Sequence, residues 1–134
     1  MVDECHLSYD QKHKATLTYL NEVRFGPPYF KLKLDNKLLL TRIFGLHLRW
    51  AVDSNYFAIE EWLSTDYNKG PLTNLVLFDV DNNLEYTVCT VEHGFVMPSL
   101  IENNILKYSK VYHYKSLTEE HEFSINDITT WKRY

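Results

Sequence analysis

"ATLTYLNEVRF", residues 15–25, decides how the rest of the chain is read. Ala15, Leu17, Tyr19, Val23 and Phe25 share one side of an extended segment, and Thr16, Thr18, Glu22 and Arg24 share the other. That period of two is the mark of a half-buried β-strand. Gly26, Pro27 and Pro28 end it, because neither proline has an N–H to give to a ladder. The alternation returns in "YFKLKLD" (29–35), with Phe30, Leu32 and Leu34 inward and Lys31 and Lys33 outward. A tight turn at 35–37 leads into "LLLTRIF" (38–44), which predicts a hairpin. "LHLRW" (46–50) turns at 52–55 into "YFAIEEWL" (56–63), and a polar loop with a Gly-Pro stop covers 64–71.

Further along, "LTNLVLFDV" (72–80) and "LEYTVCTVE" (84–92) flank Asp81-Asn82-Asn83 as a second hairpin. "ILKYSKVYHYK" (105–115) pairs most simply with "EEHEFSI" (119–125). The one helical turn expected lies near "SINDITTW" (124–131), where Ser124 or Asn126 can cap it. Many short strands with Asn/Asp turns predict an all-β fold, an antiparallel β-sandwich or half-barrel of about eight strands with one or two short helices at most. The 134 residues form one domain by size, with 1–12 expected as a loosely ordered N-terminal segment. "WAVDSNYFAI" with "LVLFD" is locally similar to a β-propeller hairpin, but the chain holds too little sequence for the four blades a closed propeller needs.

Two cysteines, Cys5 and Cys89, form no spaced pair, which favours a reducing compartment. The N-terminus lacks the basic start and apolar run of a signal peptide, and no segment approaches ~18 consecutive apolar residues. These features predict a cytoplasmic protein with no membrane partner. Net charge is −4, unevenly spread. Residues 1–50 carry eight Lys/Arg against five Asp/Glu, whereas 51–105 carry Lys69 alone against nine acids. A block of that sign argues against a nucleic-acid partner, which would demand a basic face.

Chemistry is sparse. The six histidines show no H-x-H or H-x-x-H spacing, and the nearest approach to a metal set is His113 with His121 across a hairpin, joined by Glu119 or Glu122. No G-x-S-x-G elbow and no Gly-rich phosphate loop are present, and Cys89 lies mid-strand. The reading therefore carries no catalytic residue, cofactor or metal. A carboxylate-dependent hydrolase built from Glu61 with Asp79 or a histidine stays as an alternative. So does a small-ligand or carbohydrate module using the ten tyrosines and three tryptophans as platforms.

Glu60 and Glu61 sit in the apolar run "FAIEEWLSTD" (57–66) and, being adjacent on a strand, point to opposite faces. With Phe57, Ile59 and Leu63 inward, Glu61 is expected to be buried against a partner such as Arg42, Arg49 or a tyrosine hydroxyl. Glu60 is expected in solvent beside Trp62, with Asp66 and Tyr67 following. An aromatic ringed by acids has the composition of a protein-binding hot spot, although Trp62 taken alone reads rather as packed under another sheet or helix. The expected partner surface is therefore Glu60, Trp62, Asp66, Tyr67, Asp79, Asp81 and Glu85, and the expected partner is basic.

In size, β pattern, acidity, compartment and lack of a catalytic motif, the chain resembles the immunity proteins of bacterial contact-dependent growth inhibition systems. The resemblance covers the whole chain at the level of class and carries no residue assignment. It implies tight binding of a cognate, basic, nuclease-type toxin domain, with the acids standing in for phosphates and speeding association.

Overall fold

The structure is a computed structural model that describes residues 3–23, 26–66, 68, 70–112 and 116–134. Among them lie twelve strands: β1 (Glu4–Leu7), β2 (Lys14–Glu22), β3 (Pro28–Leu34), β4 (Lys37–Leu38), β5 (Ile43–Trp50), β6 (Tyr56–Trp62), β7 (Leu72–Asp79), β8 (Leu84–Glu92), β9 (Gly94–Glu102), β10 (Ile105–Tyr112), β11 (Leu117–Ser124) and β12 (Lys132–Arg133). The fold is all-β and antiparallel, as the period-two pattern predicts. Nine strands form one sheet in the order β1-β2-β3-β5-β6-β7-β8-β12, with β4 also on β3, and β11-β10-β9 form a second. The expected helical turn is a single 3-10 turn, Ile125–Asp127, entered from Ser124, whose hydroxyl makes no capping bond.

The large sheet curls into a half-barrel. Its inner face buries Leu17, Leu32, Phe44, Phe57, Ile59 and Phe78, each essentially inaccessible to water. Each such side chain contributes about 1.5–3 kcal/mol relative to exposure. The outer face of β6 and β7 is covered in turn by the second sheet. Ala58, Leu75 and Leu77 pack there against Val96, Ile101 and Leu106. β6 is consequently buried on both faces from Phe57 to Trp62.

Three expectations change. Residues 4–7 of the N-terminal segment form β1, paired in register with β2 from Glu4↔Leu17 to Leu7↔Lys14, and the Trp50 Nε1–H donates to the His6 carbonyl at 2.9 Å. That edge strand is held by its ladder and a buried indole rather than by apolar content of its own. The run 38–44 is not one strand. β4 leaves the edge of β3 after Leu38, Leu40–Arg42 swing out, and β5 rejoins the same edge at Phe30↔Phe44. Leu63, expected inward, is exposed because β6 ends at Trp62. Arg24 and Phe25, the end of the deciding stretch, lie outside the described residues.

Candidate functional site

Of the acids expected on a partner surface, the two glutamates are inside. Glu60 is 1% exposed, between the two sheets. One carboxylate oxygen accepts the Val96 N–H of β9 at 2.9 Å, and the other lies 3.1 Å from His47 Nδ1. The solvent-facing position expected for Glu60 assumed a bare outer face, and β9 covers that face. A bulge positions His47: Phe44↔Glu61 and Leu48↔Ile59 leave Gly45, Leu46 and His47 opposite Glu60 alone. Gly45 is needed at this point, since a Cβ there would stand 2.4 Å from Glu60 Oε1 and 2.9 Å from Trp62 Nε1. Trp62, 3% exposed, packs its ring against Phe95 of β9, 5.6 Å between centroids. It cannot anchor a partner.

Glu61 meets its expectation. It is buried and receives two bonds from Arg42, Nε to Oε2 at 2.7 Å and Nη2 to Oε1 at 3.2 Å. The same guanidinium donates through Nη1 to Glu85 at 2.8 Å, so Glu85 is buried too and lost to the surface. Arg42 lies over the rings of Phe44 and Phe78, 5.4 and 5.7 Å from their centroids. Burial alone would lower the Arg42 pKa, but the bonds and charges of Glu61 and Glu85 outweigh it and raise it. The guanidinium ties the β4–β5 crossover to β6 and β8.

The hydrolase constellation does not assemble. Glu61 stands opposite Asn74 while Asp79 stands opposite Tyr56, five residues away along β6, or about 17 Å. Burial pushes the Cys89 thiol pKa up, away from the reactive thiolate. His113 lies outside the described residues. Its expected companion His121 stacks on Tyr108 and bonds Glu119 at 3.2 Å. Among the described residues no group of three His, Cys, Asp or Glu side chains is placed to hold a metal. Tyr56, Tyr86 and Trp131, candidates for ligand platforms, stack on one another, Tyr56 on Trp131 at 6.1 Å and Tyr86 edge-on at 6.4 Å.

The remaining expected residues separate to opposite ends of the large sheet. Asp66 is exposed in the β6–β7 loop, beside Glu92 and His93, and Tyr67 lies outside the described residues. Asp79, the last residue of β7, and Asp81, in the β7–β8 turn, are at the other end, and there an acidic cleft forms. It is lined by Tyr9, Asp10, Val52, Asp53, Asn55 and Asp81. Tyr9 is 68% exposed. Hydrogen-bond donors fix the carboxylates. Asp10 accepts the Ser8 hydroxyl at 2.7 Å and the Lys12 N–H at 3.0 Å, which lowers its pKa to about 2. Asp53 accepts the Asn103 N–H at 2.8 Å, and Asn55 Nδ2 donates to both Asp81 oxygens at 3.2 and 3.1 Å. Asp79 holds the Asn82 side-chain amide at 2.9 Å.

Tyr9 and Asp10 escaped the sequence reading because they lie in the segment expected to be loose. The available signal was the Ser8–Lys12 turn, with Asp10 two residues before the N–H it accepts. Comparison of the chain with known protein families, characterised proteins and solved structures finds no match to any of them. Among the described residues no helix is long and apolar enough to cross a membrane.

Proposed function

We propose that this chain is a cytoplasmic immunity-type protein that binds a cognate basic, nuclease-type toxin domain and blocks its substrate site. One observation supports the reading above the others: an exposed tyrosine set among three carboxylates, each already held by a hydrogen-bond donor, Asp10 within its own turn, Asp53 by the Asn103 N–H and Asp81 by the Asn55 side chain. Carboxylates fixed before binding lose little side-chain freedom when a lysine or arginine arrives. An aromatic at their centre supplies the apolar contact on which hot spots rest. Relative to the sequence reading, the surface moves from Glu60, Trp62 and Glu85 to Tyr9, Asp10, Asp53 and Asp81, with Asp79 at its edge.

The test is a binding titration, at low and at physiological salt, against the basic toxin domain encoded beside this gene. Asp10→Lys with Asp53→Lys should slow association by about tenfold or more and flatten its salt dependence. Tyr9→Ala should weaken binding by ~2 kcal/mol. Lys31→Glu with Lys33→Glu, on the half-buried outer side of β3, should leave affinity unchanged. Loss of binding in the lysine pair with retention in the acidic pair would overturn the assignment. A neighbouring operon devoted to sugar metabolism would favour a ligand-binding module instead.

A further inference from the structure

The open side of the half-barrel is held by a histidine. In the sheet order, β2 and β7 are separated by β3, β5 and β6. Four inter-strand spacings amount to about 19 Å along the sheet. Yet His13, the residue before β2, reaches Asp81 in the turn after β7, with Nε2 2.7 Å from Oδ1. Its other nitrogen, Nδ1, lies 2.8 Å from Oδ2 of Asp35 in the β3–β4 turn. The ring stacks on Trp50, 6.5 Å between centroids at 17°. One imidazole thus joins the neighbouring β1–β2 and β3–β4 loops to the β7–β8 turn, which the strand order keeps apart from them.

Both ring nitrogens face carboxylate oxygens. An ionised carboxylate only accepts, so both nitrogens must carry hydrogen, and the bridging ring is the imidazolium. We propose that His13 is a proton-operated clasp: protonated, it closes the seam between the β2 and β7–β8 ends of the half-barrel, and neutral, it lets go of Asp81. The release falls on Asp81 for a geometric reason. Asp35 belongs to the same side as His13, because its other oxygen accepts the Lys14 N–H at 2.9 Å and its own N–H bonds the Lys14 carbonyl at 2.8 Å. The neutral ring keeps one donor and retains this local bond. Its unprotonated nitrogen then confronts Asp81, which Asn55 holds in place.

The charged groups around the ring agree in sign. Burial is the largest influence on His13 and opposes its charge, but the bonds and charges of Asp35 and Asp81 together raise its pKa above the ordinary value. Asn55 and His13 lower that of Asp81, while Asp10 acts on it in the opposite sense. Letting go uncovers one more negative charge in the acidic cleft, since Asp81 lines it. The clasp follows from the seam alone and does not depend on the toxin reading.

The sign of the pH dependence is fixed. A raised histidine pKa contributes stability that is complete below the unfolded value, about 6.5, and is lost as pH rises through the folded one. The experiment is a histidine-selective NMR titration of the free protein, with thermal unfolding and amide exchange over the same pH range. The His13 ring should titrate above 6.5, and Asp81→Asn and Asp35→Asn should each bring it down. Protection of the Val80 amide, on the β7–β8 side of the seam, should fall about tenfold or more through the His13 midpoint, while that of Lys14, bonded to Asp35 on the retained side, should hold. The drop in wild-type melting temperature through that midpoint should be absent in His13→Gln. If that variant does not fold, Asp81→Asn, which keeps the ring, decides. A ring titrating at or below 6.5, a midpoint indifferent to Asp81→Asn, or unchanged Val80 protection would each overturn the clasp.

Discussion

Removing the Arg42 guanidinium should do more damage than any other single charge deletion in the molecule. In Arg42→Met the methionine fills part of the space and stays apolar over Phe44 and Phe78. Glu61 and Glu85, 8% and 4% exposed, lose the partner that takes three of their contacts. Breaking a buried ion pair on one side typically costs about 3–5 kcal/mol, and here two like charges are left facing each other. For a domain between the small and large size classes, that corresponds to a fall of about 10–20 °C in melting temperature. The measurement is urea and thermal unfolding at neutral pH. The triple variant Arg42→Met, Glu61→Gln, Glu85→Gln separates charge from packing and should recover at least about 2 kcal/mol of the loss. A loss under about 1 kcal/mol in Arg42→Met would refute the reasoning, because it would mean the two glutamates find water or other partners without it.

Glu60→Ala should destabilise by about 2–4 kcal/mol in chemical denaturation, since it strands the buried Val96 N–H and frees His47. A change within about ±0.5, the value expected of a surface acid, would contradict its burial. Gly45→Ala should cost about 1–3 kcal/mol by pressing a methyl onto the Glu60 carboxylate and the Trp62 indole, and a stability equal to wild type would show that the bulge yields.

The fold was legible wherever one side of a strand faces the inner core. Leu17, Phe30, Leu32 and Phe57 keep a strict period of two, and the structure buries them on one face. Legibility failed where that premise failed. β9 carries Pro98 opposite Tyr108 beside a register shift, so no alternating run announces it. Without β9, the outer face of β6 looks bare in the sequence, and Glu60 on it is assigned to solvent. β1 is similarly silent, because its four residues contribute a ladder rather than a core.

The candidate site followed the same logic with larger consequences. Nine acids between 51 and 105 look like one surface when counted along the chain. Folding divides them by what each can bond. Glu60, Glu61 and Glu85 reach a backbone N–H, a histidine or Arg42 and go inside. Asp66 and Glu92 stay at one end of the large sheet, and Asp53, Asp79 and Asp81 gather at the other. At that second end residues from the basic first fifty positions join in, Tyr9 and Asp10 beside the cleft and His13 behind it. The net sign of a segment therefore fixed the sign of the field but not the place where it is felt. That place depends on a curl bringing β2 to β7, a contact between residues 68 positions apart. Local periodicity carries no trace of such a contact. A doubly bonded histidine between two aspartates marks it only once the strands are in register.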